Sequence, residues 1–368
     1  MGKLLQIALC FLAMFSIPDQ IIGQAAAVFA ALLWTLTSIL FTAGGKRLGS
    51  VVVNAIRLPL AVIMLAVTHR VLTGSWVPHA NDRQIIYLAL SGIIGLAIGD
   101  QALFTSFLDI GPRLALLLMT SSPLFASFFG YLALGEKIHA LGWVGMLLTI
   151  AGIVWVIMEQ PAMDKKLASG GGKPDQVLVG KGDIVVDNVE AQTISRQDKE
   201  KAITRKHRTR GVFLAVFGSA CQAGGLLLSK MGMGHGFMYA AQRMSPQSAT
   251  LIRMFFAMVA IVPIVLVARM QNRKRLAAGL KSTATGSRLT GVLFVCMGAV
   301  VGPFLGVWMS LIASDKAPVG IAQTLLSLSP VFILPFAAFL YHERISLRTV
   351  MGVVVAVGGS ALLFIKPA

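Results

Sequence analysis

Residues 111–158 read GPRLALLLMTSSPLFASFFGYLALGEKIHALGWVGMLLTIAGIVWVIM. Within them, Ser122-Pro123, Phe125, Phe129, Glu136, Ile138, Gly145 and Gly152 form a frame that recurs without a gap 207 residues later. The second set is Ser329-Pro330, Phe332, Phe336, Glu343, Ile345, Gly352 and Gly359. Two further pairs, Ala115/Ala322 and Leu118/Leu325, keep the same register. Chance rarely places Pro, Glu and two Gly in one ungapped frame, so the chain carries a duplicated unit. The remaining sequence is organised around the two copies.

The 368 residues are 56% hydrophobic and 13% charged, with a mean hydropathy of +0.78. A soluble domain carries roughly 25% charged residues. Long apolar runs recur throughout, which excludes a globular enzyme and predicts an all-α polytopic membrane protein. In the first copy these runs are roughly 25–43, 51–67, 85–108, 114–134 and 141–158. In the second they are roughly 212–228, 249–268, 289–313, 317–341 and 350–365. Ten transmembrane helices are expected. Five per copy is an odd number, so the second copy enters from the opposite side and the halves become inverted repeats.

Four regions follow. Residues 1–23 hold a short apolar run behind Lys3, read as a signal-like segment or an extra helix. Residues 24–158 and 211–368 are the two five-helix repeats. Residues 159–210 carry 11 Lys/Arg and 8 Asp/Glu, too few apolar groups to form a core, and read as a charged flexible linker. The net charge of +17 lies mostly between apolar segments, as membrane topology requires, and does not indicate nucleic acid. Cys10, Cys221 and Cys296 have neither metal-ligand spacing nor an obvious pairing.

Few residues remain for chemistry. Ser91, Gly95 and Gly99 map onto Gly298, Gly302 and Gly306, and small residues at that spacing let helices approach closely. Pro123 and Pro330 are expected to kink the fourth helix of each copy, turning Thr120, Ser122, Ser327, Ser329 and Gln323 toward a cavity. Glu136 and Glu343 are read as structural, near the start of the following helix. Arg57 and Arg253 share an Ile-Arg context in the second helix of each copy; either they snorkel to the interface or they bind an anion in a cavity. Asp100 lies deep in an apolar helix, and its counterpart is Val307. An acid there is costly, so it either pairs with Arg113 or couples transport to protons. Trp34, Gln101, Gln222, Trp308 and Gln323 are the candidate substrate contacts, offering aromatic faces and amide hydrogen bonds. No catalytic motif is visible, and no metal or cofactor is expected.

The stretch GLAIGDQALFTSFLDIGPRLALLLMTSSPLFASFFGYLALGEKI, with SPVFILPFAAFLYHERI in the second copy, resembles the EamA-like branch of the drug/metabolite transporter superfamily. His342 stands where the family usually has Gly. The resemblance implies ten helices in the cell (inner) membrane and transport of a small organic metabolite or drug-like compound, outward in direction. The expected partners are the lipid bilayer, that small molecule and, as coupling ion, protons. A scaffold or sensor signalling through the 159–210 linker is the alternative.

Overall fold

The computed structural model describes residues 18–134, 140–159, 186–235, 238–239, 243–277, 287–316, 322, 325–341 and 347–362. The N-terminal apolar run, Glu136, Gln323 and Glu343 lie outside these residues.

The described chain is helical. In the first copy, α1 is Asp19–Leu48 and α2 is Ser50–Thr73. The third helix is composite: α3 Asp82–Ser91, a π-helical segment Gly92–Gly99, and α4 Asp100–Met119. Then come α5 Ser122–Leu134 and α6 Ala140–Glu159. The second copy has α7 Val186–Gly232, α8 Pro246–Ala277 and α9 Arg288–Ala299. A second π-segment, Val300–Gly306, leads into α10 Val307–Lys316, followed by α11 Ser329–Tyr341 and α12 Leu347–Leu362. Six helices among the described residues are long and apolar enough to cross a membrane, and 141–155 and 347–359 form shorter apolar helices. Large apolar side chains such as Ile63, Leu147, Phe213 and Leu266 are more than half exposed, as befits a lipid-facing surface.

Local sequence explains where the helices stop. Asn81 and Gln84 form a reciprocal capping box at the start of α3. Gly74 closes α2 in the left-handed conformation. Gly111, at φ +80°, interrupts α4, and Pro112 restarts it with a ring suited to a first helical turn. The helix α7 reaches back to Val186, so residues 186–210 are helical where a flexible linker was expected. That stretch contains neither Gly nor Pro and is rich in Glu, Gln, Lys, Arg and Ala, all good helix formers.

The two prolines differ from expectation in an informative way. Neither kinks a continuous helix. Met119 is followed by the turn Thr120-Ser121, and Pro123 is the second residue of the new helix α5. Pro330 occupies the same place in α11, after the turn Ser327-Leu328. The backbone bonds recur as well. Leu124 N and Phe125 N donate to Ser121 O, and Val331 N and Phe332 N donate to Leu328 O. The fourth apolar segment of the first copy is therefore two helical pieces joined by a break, and the same kind of turn precedes Pro330 in the second.

Each copy's third helix packs on the other copy's first. A Cβ on Gly95 would lie 3.4 Å from Gly225 Cα, and one on Gly99 would lie 2.7 Å from Cys221 Cβ. In the reciprocal contact, a Cβ on Gly298 would lie 2.5 Å from the Phe41 ring, and one on Gly302 would lie 2.5 Å from Thr37 Cγ2. Arg210, midway along α7, makes a two-pronged ion pair with Asp109 (2.7 and 2.8 Å), and His235, past the C-terminal end of α7, meets Asp315 at 3.1 Å. The helices α6 and α12 touch through repeated small residues. Gly152 faces Gly352 and Ala356, and Gly359 faces Gly145 and Thr149.

These contacts grade the glycines. A Cβ at Gly92 would sit 2.2 Å from Arg253 O, a backbone atom that cannot move aside, whereas Gly95 would meet only ordinary van der Waals neighbours. Gly92→Ala is expected to lower stability by about 1–3 kcal/mol through overpacking. Gly95→Ala should stay close to wild type. Thermal unfolding of the two variants in detergent checks the contrast; equal midpoints would refute the packing just described.

Candidate functional site

Among the described residues, one ion pair is fully buried. Arg57 Nη2 donates to Asp100 Oδ2 at 2.6 Å, and both side chains have no exposed surface. The positions are 43 residues apart, and local geometry brings them together. Asp100 follows the π-segment, where its amide bonds Gly95 O, five residues back. A regular α-turn would have placed that amide on Leu96 O. The Leu96 carbonyl instead accepts from Arg57 Nη2 at 2.8 Å. Wide turns of this kind are uncommon and gather at functional sites.

Further contacts hold the guanidinium. Asn54, one helical turn earlier, accepts from Arg57 Nε at 2.9 Å, and the Phe104 ring lies 4.8 Å from the guanidinium carbon. That ring contact is a cation–π arrangement. Asp100 Oδ1 accepts a hydrogen bond from Gln222 Nε2 on α7, so the carboxylate joins the two copies. The expected Asp100–Arg113 pair is not what forms. Arg113 Nη2 instead donates to Thr349 Oγ1 on α12 at 3.0 Å. The break at Gly111 explains this, because Arg113 belongs to a new helical run with its own direction. Arg57 does not snorkel; it is wholly buried.

Beside the pair lies a cavity of about 120 Å³. One water needs about 10–15 Å³, so a small organic molecule fits. Both copies line it. From the first come Trp34, Thr37, Ser38, Leu103, Phe104 and Phe107. From the second come Gln222, Leu226, Arg253, Val307 and Ser310. Both helix breaks face it as well, through Thr120 and Ser122 on one side and Ser327, Ser329 and Pro330 on the other. A backbone break at membrane depth is tolerated only where other groups or a cavity satisfy it. The break near Ser329 is tied to α1, since Ser329 Oγ donates to Ala31 O and Thr35 Oγ1 donates to Ser329 O. The break near Ser121 is tied to α7, through Ser219 Oγ at 2.8 Å.

Of the expected substrate contacts, Trp34 and Gln222 line the cavity. Trp34 Nε1 donates to Ser310 Oγ at 3.3 Å. Gln101 belongs to a neighbouring polar knot with Ser50, Asn54 and Thr105. Trp308 packs against the Phe304 ring. Arg253 lines the cavity and is 3% exposed. The hydroxyls of α1, Phe104 and the π-segments escaped the sequence reading; the i,i+3 pair Asn54/Arg57 is the one signal that could have flagged the ion pair. No group of His, Cys, Asp or Glu among the described residues could hold a metal.

The model of the EamA-like transporter family matches residues 21–158 and 209–365. No curated protein matches the chain. Among solved structures, 21 chains match. One of them, titled "Crystal structure of protein", is 15% identical at a TM-score of 0.56 and covers 94% of this chain and 97% of its own. At that identity the likeness concerns the fold alone.

The ion pair sets a stability test. Asp100→Ala leaves a buried guanidinium without its carboxylate and is expected to cost about 3–5 kcal/mol. Arg57→Met combined with Asp100→Leu should recover most of that loss, because apolar replacements remove both charges together. Arg113→Gln should leave the Asp100 pair intact. Thermal unfolding of the four proteins in detergent separates these outcomes.

Proposed function

The chain belongs to the EamA-like transporter family, and we propose that it is a secondary carrier that moves a small organic metabolite or drug-like compound by alternating access. The observation that carries this reading is the single cavity wall built from both copies, with both helix breaks facing it. Broken helices near the midplane are where carriers of repeated architecture hold substrate. Ten spans in two inverted copies remain the proposed topology. The mutual contact of α6 and α12 supports the inversion. Position 152 of one copy meets the equivalents of 145 and 149 in the other, and the reverse contact holds at 359. Two helices can meet in that reciprocal way when they run antiparallel. Outward transport and residence in the cell membrane are carried over from the family resemblance.

Protons are the proposed coupling ion, with Asp100 as their carrier. Protonating Asp100 would dissolve its pair with Arg57 and weaken its hold on Gln222, a residue of the other copy. A change of charge at one atom would thus loosen a contact between the halves. The carboxylate would act as a positional latch that substrate and proton both influence.

Two measurements test the carrier. Met119 and Leu326 occupy equivalent positions, and both line the cavity. Met119→Trp and Leu326→Trp should each abolish transport by proteoliposomes while leaving the amount of inserted protein unchanged. Asp100→Asn should retain exchange of labelled for unlabelled substrate and lose accumulation driven by a pH gradient. Gradient-driven accumulation at the wild-type rate in Asp100→Asn would remove the proton assignment.

A further inference from the structure

Among the described residues the buried charges do not balance: two guanidinium groups, Arg57 and Arg253, lie 0% and 3% exposed, against one carboxylate, Asp100. Both oxygens of that carboxylate are engaged, Oδ2 by Arg57 and Oδ1 by Gln222. Arg253 donates no hydrogen bond to any described residue, and its Nε is buried without a partner. Among the described residues lining the cavity, Arg253 is the one with a formal charge. A Cβ added at Gly95 would lie 3.5 Å from Arg253 Nη2, so the guanidinium runs alongside the glycine stripe.

A desolvated cation with no anion hydrogen-bonded to it is expensive, and the fold has kept this one beside a cavity. From this geometry, and resting on the carrier reading above, we propose that the substrate is a small organic monocarboxylate whose carboxylate docks on Arg253. The guanidinium offers a planar fork of donors that matches a carboxylate in two-pronged fashion. A single excess positive charge suits a monoanion better than a phosphate dianion. Much of the remaining lining is apolar, with Leu103, Phe104, Phe107 and Leu116, and Trp34 adds an aromatic face. The body of the substrate is therefore apolar or aromatic, and its size is limited to that of a substituted ring. Thr37, whose hydroxyl is buried without a partner, supplies a neutral polar contact.

Arg57 and Arg253 then divide the work. Arg57 is locked by Asp100, Asn54 and the Leu96 carbonyl, and fixes the wall. Arg253 sits at the equivalent place in the other copy, where Val307 replaces the aspartate and leaves the guanidinium for a ligand.

Benzoate and its neutral isostere benzamide are suitable probes for the purified full-length protein. Binding is read by the shift of thermal midpoint and by quenching of tryptophan fluorescence. Transport is read separately by uptake of labelled benzoate into proteoliposomes. Benzoate should bind and benzamide should not. Arg253→Gln should weaken benzoate roughly tenfold to a hundredfold, the worth of a charge-assisted hydrogen-bonded pair. Arg253→Lys, which keeps the charge and loses the fork, should restore part of the affinity and shows that the loss is not one of folding. Arg253→Gln should itself be at least as stable as wild type without ligand, since it removes an unpaired buried charge. Equal binding of benzamide and benzoate, or benzoate binding unaltered in Arg253→Gln, overturns the proposal. Benzoate that binds through Arg253 but never crosses the membrane would sustain the anion site and sink the carrier reading. Transport of neutral compounds alone, undisturbed by Arg253→Gln, would do the reverse.

Discussion

Two guanidinium groups share one carboxylate inside an apolar protein, and much of the backbone is arranged around that inequality. Removing a charge from water in a low-dielectric interior costs more than a surface pair can return. Arg57 answers with partners for its Nε and Nη2 from α2, the π-segment and α4. The π-segment is part of the answer, since its wide turn leaves the Leu96 carbonyl free to accept from Arg57. Its counterpart at Val300–Gly306 occurs at the equivalent place but carries Pro303 where Leu96 stands, and valine follows it in place of the aspartate. The two halves thus share a backbone and differ in charge.

A second constraint acts on the peptide groups. Within a bilayer an interrupted helix exposes donors and acceptors that water cannot reach. Both interruptions here come at the turn before Ser-Pro, and both open onto the cavity. Side chains from the opposite copy reach both: Thr35 donates to the Ser329 carbonyl in one case, and Ser219 meets the Ser121 hydroxyl in the other. The same residues that reach the breaks also hold the copies together. Packing and the construction of the cavity are in this respect one problem with one solution.

The repeated frame around Ser122-Pro123 and Ser329-Pro330 was legible in the sequence, because Pro, Gly and Phe at a fixed offset of 207 leave an unmistakable trace. The glycine stripes in the third helices were legible for the same reason, and they do lie at close contacts. The nature of the proline effect was not. A proline inside an apolar run reads as a kink, and only the preceding Thr-Ser and Ser-Leu turns make it a restart. The partner of Asp100 was also hidden. Arg113 is nearer in sequence, but Gly111 at a positive φ turns that arginine away, and nothing short of backbone geometry reveals it. Helix in residues 186–210 was missed because charge was read as disorder, although the composition there favours a helix just as strongly.

The meeting of α6 and α12 has a historical meaning. Gly145, Thr149 and Gly152 on one side face Gly352, Ala356 and Gly359 on the other, each group touching the equivalent of itself. A face that fits its own duplicate is one that a lone half-length chain already possesses. An ancestor of half the length could pair with a second molecule through this joint, and a gene fusion would preserve the contact without any new surface having to arise. Once tethered, the halves no longer had to remain identical. Inheritance could then place an acid at position 100 and none at 307, a distinction unavailable to a self-paired ancestor whose every substitution appears twice.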